Sequence, residues 1–341
     1  MKKAIIVFLL VSALAGSAFA QLTFSGSAYA GVRFQNSVGD GETITTHHRE
    51  EGVPRFDFTA TAMRENYGVR LDTTFRAQDG EDAESLSLNG IYGWVDFEGP
   101  LGSDPVRLTI GHMSSTPWVL PRFHHSHSVI EFGDIRGFRV EYTTPLPGLS
   151  AGFALRGEGL NLEHTFERAV IGATYIHPMF SAVFSYDWSA NGRAMLGFNF
   201  TGIPDLTAAF QLEASRIASW DDDLFFGTID MRQMFGFRVM RQLNVFLIMQ
   251  QNIENSPDSD VGLQFIPGVE YRILPDLTGF FNMIIDSPDH FSTTNLTLEA
   301  VVERTLRGPA ILYVEYAVRF GDMDMDNVTH TFGFGITIRA F

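Results

Sequence analysis

The chain has 341 residues, a formal net charge of −16, 45% apolar residues including 31 phenylalanines, and no cysteine. An acidic protein does not seek nucleic acid, whose phosphates require positive surface, and a chain without thiols has no disulfides and no Cys-ligated metal. After residue 20 the longest uninterrupted apolar run is about five residues, Val245 to Met249, far below the roughly 18 needed for a membrane-spanning helix.

Lys2 and Lys3 precede a largely apolar run, Ala4 to Ala15, which ends in Ala18-Phe19-Ala20 before Gln21. This is the pattern of a secretory signal peptide over residues 1–20, and it predicts export. Its removal leaves 321 residues with a formal charge of −18, because both lysines of the chain lie in it.

From Gln21 onward the dominant period is two. Leu22, Phe24, Ala28, Ala30, Val32 and Phe34 alternate with Thr23, Ser25, Ser27 and Arg33. The same alternation sets Phe56, Phe58, Ala60 and Ala62 against Arg55, Asp57, Thr59 and Thr61. It continues with Val69, Leu71 and Phe75 against Arg70, Asp72, Thr74 and Arg76, and recurs in 206–213 and 296–303. Such alternation puts one strand face in an apolar medium and the other in a polar one. It fits a soluble sandwich and a membrane barrel alike. The strand lengths, about ten residues or more, favour the barrel. So do aromatic pairs near strand ends, Tyr186 and Trp188, Phe225 and Phe226, Tyr313 and Tyr316, Phe332 and Phe334.

Short turns such as Arg64 to Asn66, Thr144 to Gly148, Ile203 to Asp205 and Leu274 to Asp276 alternate with longer polar connections, among them 37–52, 79–85, 114–136 and 219–223. Short periplasmic turns facing longer external loops are the asymmetry of bacterial outer-membrane barrels. The reading is an all-β, transmembrane antiparallel barrel over 21–341, with eighteen strands and both termini periplasmic. Sixteen strands is the alternative, because 86–98 and 224–240 are less sharply patterned. The final segment, Thr331 to Phe341, alternates as a last barrel strand, although Phe341 falls out of phase with Phe332, Phe334, Ile336 and Ile338.

The segments Tyr92 to Gly99, Val106 to His112, Phe138 to Pro145 and Gly148 to Phe153 make residues 92–155 resemble the general bacterial outer-membrane porin family. Tyr92-Gly-Trp-Val-Asp-Phe-Glu-Gly99 and Val106-Arg-Leu-Thr-Ile-Gly-His112 are similar to its fourth and fifth strands. Phe138-Arg-Val-Glu-Tyr-Thr-Thr-Pro145 and Gly148-Leu-Ser-Ala-Gly-Phe153 are similar to the two strands that follow the constriction loop. The resemblance implies that Ser114 to Arg136 is that loop, folded into the lumen. Its apolar residues, Trp118, Val119, Leu120, Phe123, Val129, Ile130 and Phe132, suit packing on a wall better than exposure to water. It also implies acidic groups on the loop, Glu131 and Asp134, opposite a basic wall, and a homotrimer. Strand parity separately places Arg33, Arg55, Arg70, Arg76, Arg139 and Arg156 on lumen faces. Opposed charge rows create a transverse field that filters solutes by size and charge, and for each Arg the simpler reading is a pair with a strand neighbour.

The expected function is passive diffusion of small hydrophilic solutes and ions through the outer membrane of a diderm bacterium, with membrane lipid as partner and no cofactor. A sugar- or anion-selective channel and a surface adhesin or structural barrel are the alternatives. No nucleophile motif is present, and no enzyme activity is expected. His124, His125 and His127 are weak metal candidates, since no acidic group accompanies them at fixed spacing. Asp205 and Asp276, in two Pro-Asp-Leu-Thr turns, read as turn formers.

Overall fold

The computed structural model describes residues 21–37, 41–47, 53–77, 84–99, 102–120, 133–157, 169–189, 192–216, 227–254, 261–287, 293–306, 309–323 and 327–339. The first strands are β1 (Gln21–Ser37), β2 (Gly41–Thr46), β3 (Arg55–Arg64), β4 (Tyr67–Ala77), β5 (Glu84–Gly99) and β6 (Gly102–Ser115). There follow β7 (Gly133–Thr143), β8 (Leu149–Arg156), β9 (Ala169–His177), β10 (Phe180–Asp187), β11 (Arg193–Phe200) and β12 (Leu206–Ser215). The last are β13 (Thr228–Met240), β14 (Leu243–Glu254), β15 (Val261–Leu274), β16 (Leu277–Ser287), β17 (Asn295–Thr305), β18 (Ala310–Phe320) and β19 (Val328–Arg339). All belong to one sheet, and β1 pairs with β19 to close it.

Nineteen segments make eighteen strand positions. The half of β1 from Val32 to Ser37 pairs with β2, and the half from Gln21 to Tyr29 pairs with β3. β2 and β3 therefore share one position in the ring, interrupted between Thr46 and Arg55. His47 N donates to Gly31 O at 3.0 Å and carries the ladder to the edge of the gap. The expected count of eighteen stands, and the connection 37–52 contains a strand that its polar sequence conceals. β5 and β13 occupy the two weakly patterned stretches.

The distribution of side chains is inverted relative to a soluble protein. Phe24, Phe97, Ile110 and Leu196 are each half-exposed or more, whereas Asn199, Gln211 and Asn282 are buried. Exposed large apolar residues recur on nearly every strand, far beyond the few hundred Å² of apolar patch that a soluble monomer tolerates. A closed ring with its apolar face outward has no edge and leaves no ladder group unpaired in lipid. The sandwich alternative is removed.

Ring contacts mark both rims of the apolar belt. At one, Tyr175 stacks on His177 at 6.4 Å, His177 meets Phe180 at 5.1 Å, and Phe180 stacks on Phe198 at 5.6 Å. At the other, Tyr186 meets Trp188 edge-on at 4.6 Å. The strand between them, tilted as barrel strands are, spans roughly 20 Å of membrane height. Tyr313 departs from the expected girdle. It lies on the inner face with Glu315, buried over Gly31 and Gly335, while Leu312, Val314 and Tyr316 face outward. Phe225, Phe226 and Phe341 lie outside the described residues.

Two-residue turns join β3 to β4, β9 to β10, β13 to β14 and β15 to β16 at one end of the barrel. Gln21 pairs with Met63 at that end, so the chain enters the barrel beside the short turns. Asp205 and Asp276 do more there than form turns. Asp205 lies 3.4 Å from the Arg238 guanidinium, and Asp276 accepts from Arg304 at 3.2 Å, each tying its turn to the next strand.

Candidate pore lining

β6 and β7 remain paired to Ser115 and Gly133, so the connection expected over 114–136 narrows to 116–132. Its first residues turn inward and lie on the barrel wall. Trp118 is 1% exposed, and Met113, Leu120, Ile135, Ala154, Val170, Val183 and Met195 pack in the same cluster. Small residues on the wall make the space. A Cβ on Gly172 of β9 collides with the Trp118 indole, one on Gly152 of β8 meets it at 3.0 Å, and one on Gly197 of β11 meets Leu120. Ser185 Oγ on β10 donates to Trp118 O at 3.3 Å, fixing the loop backbone. Burying a tryptophan of this size contributes about 4–6 kcal/mol at ~25 cal/mol/Å².

Of the six arginines that strand parity assigns to inner faces, five are engaged by carboxylates of the wall itself. Arg55 binds Asp57 at 2.8 Å, Arg70 binds Asp72 at 2.9 Å, and Arg139 binds Glu141 at 2.8 Å. In each pair the acid follows the arginine by two residues, so both project from one face of one strand. Arg33 reaches Glu315 at 3.4 Å, crossing β19 at Gly333, where a Cβ would strike the Glu315 side chain. Arg156 binds Asp187 at 2.8 Å and Ser189 Oγ at 2.9 Å. Arg76 is exposed near the end of β4.

Three further pairs escaped the sequence reading. Arg107 grips Asp96 through two bonds of 2.7 and 2.9 Å and lies 5.6 Å from the Trp94 ring centroid. Arg193 holds Glu213 through two bonds of 2.9 Å, and Arg232 holds Asp230 at 2.9 Å. A spacing of two between Arg and Asp or Glu in an alternating strand, in either order, signals the same-strand pairs. Glu131, His124, His125 and His127 lie outside the described residues, and Asp134 is described only as the second residue of β7.

The lumen is thus lined by zwitterionic rungs, not by a bare basic wall. Arg70 and Arg107 stay more than 40% exposed despite their partners, so their remaining donors face the lumen. Where the loop leaves the wall, Arg70, Asp72, Tyr92 and Arg139 meet Thr116 and Pro117 around a cavity of about 240 Å³. The far wall differs. Ala209, Met234, Ile248 and Ile266 stand in register across β12, β13, β14 and β15, all buried, and Ile284 packs against them. Phe246 and Ile248 face inward while Val245 and Leu247 face outward, which accounts for the unbroken apolar run Val245 to Met249.

This is the fold of the outer-membrane porins, a closed eighteen-position antiparallel barrel with an apolar exterior and a polar lumen. No protein-family profile and no curated protein matches the sequence. Solved structures do match in shape. Pseudomonas aeruginosa OccK2 (OpdF) in complex with glucuronate covers 94% of this chain and 98% of its own, at TM-score 0.63 and 11% identity. Pseudomonas aeruginosa OpdK with vanillate covers 93% and 99%, at TM-score 0.60 and 11% identity. An anion-selective porin from Comamonas acidovorans covers 95% and 100%, at TM-score 0.51 and 11% identity.

Proposed function

We propose that the protein is an outer-membrane porin that conducts small hydrophilic solutes and ions passively. The observation that carries this reading is the inversion of the sheet, with phenylalanines outside and paired charges inside a closed ring. Eighteen strands spaced about 4.8 Å and tilted near 40° enclose a backbone cylinder roughly 36 Å across, wide enough for an aqueous channel once side chains are placed. The Trp118 segment on the inner wall narrows that space from one side, which supports the constriction expected of 114–136.

Planar-bilayer recording of the refolded chain tests the proposal. Stepwise ohmic conductance supports a diffusion channel. A membrane that stays silent although the barrel has folded removes it and favours an adhesin or structural barrel. Cross-linking of the same preparation tests the homotrimer implied by the family resemblance: products reaching three copies support it, and a single monomer band removes it.

A further inference from the structure

At the short-turn end two arginines stand outside the pairing of arginines with carboxylates. Arg241, in the turn between β13 and β14, and Arg272, on β15, have no ion-pair partner among the described residues. Both border a cavity of about 670 Å³ together with Arg238, Gln242, Asn244 and Glu270. Among the described residues Arg238 has only the 3.4 Å ion-pair contact to Asp205, and its side chain is 57% exposed. Glu270 is engaged by Asn244 Nδ2 at 3.3 Å. Three guanidiniums therefore share this cavity with one carboxylate.

The register aims the cluster at the lumen mouth. Arg238 opposes Asn244 on β14, and Asn244 opposes Glu270 on β15, so the three stand in one inward-facing row. Arg272 follows Glu270 by two residues and shares its face. The backbone is held where it matters: Arg238 N donates to Asp205 O and Arg272 N to Gln242 O, both at 2.8 Å. The volume lies within the range of small-molecule sites, and guanidinium is the side chain that matches carboxylate oxygens in a planar, two-bond geometry.

We infer that this cavity is an oxyanion-binding site at the inner mouth of the channel, where small carboxylate solutes dwell before release. The inference rests on the channel reading for its physiological role, but the binding itself does not require an open pore. Phospholipid phosphate offers the same chemistry; the inward face of Arg238 and Arg272 favours a solute from the lumen over a headgroup from the bilayer.

The test is calorimetric titration of the full refolded chain in non-ionic detergent with succinate, with neutral succinamide as control. Saturable succinate binding that weakens at least tenfold in R241Q/R272Q and falls with added salt supports the site, and R319Q at the opposite end leaves it unchanged. Equal affinity in the double variant, equal affinity for succinamide, or no binding to the unaltered chain overturns it. Repeating the titration with phosphatidylglycerol present separates the sources: retained succinate binding supports a solute site, and displacement by lipid assigns the arginines to headgroups and overturns it. A gel shift on heating confirms that each variant is folded. Should the double variant not fold, R241Q and R272Q singly are each expected to weaken binding about threefold. A silent bilayer with intact titration sinks the channel and leaves the site; conductance without titration does the reverse.

Discussion

The Trp118 indole occupies the space that any side chain on Gly172 would need. Gly172→Leu should therefore evict the ring and detach the segment 116–120 from the wall. The expected result is a larger sugar exclusion limit in liposome swelling and a higher single-channel conductance, with Trp118→Ala acting in the same direction. Unchanged permeation in both variants would show that this segment does not narrow the pore.

Arg33 and Glu315 meet only because Gly333 stands between them without a side chain. Glu315→Gln removes one negative charge beside a partly exposed guanidinium. The reversal potential in a salt gradient should move toward anion preference, and stability should fall by about 1–2 kcal/mol, a value discounted for the exposure of Arg33. A shift toward cations would contradict the pairing.

Asp187 is 1% exposed and takes its charge balance from Arg156. Arg156→Gln strands a buried carboxylate and should cost about 3–5 kcal/mol, whereas R156Q/D187N should recover most of the loss. Urea titration of the gel-shifted band reads both. Additive losses in the double variant would dismiss the coupling.

Tyr313 fills the inner surface over Gly31 and Gly335, on the two strands that close the ring. Tyr313→Ala opens a gap there and should lower stability by about 3 kcal/mol. The heating temperature at which the folded band disappears should drop. If Tyr316→Ala, altered on the outer face, drops it as far, the inner position of Tyr313 has no special role.

Much of this was legible in the sequence, and the misses have physical causes. Period-two alternation made the strands readable because each strand meets two media. β2 was hidden because Glu42 to Thr46 is short and polar, and its pairing with β1 is set by the neighbouring strand. Tyr313 was misplaced by grouping it with Tyr316 as an aromatic pair, although their odd separation puts them on opposite faces. Pairing with a strand neighbour is the simpler sequence reading of each arginine, but the partners are named only by the structure, although a spacing of two between Arg and acid marks the same-strand ones. The docking of Trp118 on Gly172 joins residues on separate elements, and nothing local announces it. Glycines on the inner faces of three nearby strands were the available hint.

The rung that joins Arg33 to Glu315 spans 282 positions along the chain. Contacts between such distant residues carry the largest loop-closure cost and tend to form late in folding. Every other neighbouring pair of strands is consecutive in the chain or separated only by the short β2, so the sheet can grow hairpin by hairpin as an open ribbon. The meeting of β1 with β19 is then the last event, and until it happens two lipid-facing edges remain unsatisfied. Variants at the glycine-rich seam under Tyr313 are therefore expected to accumulate as inserted but unclosed ribbons.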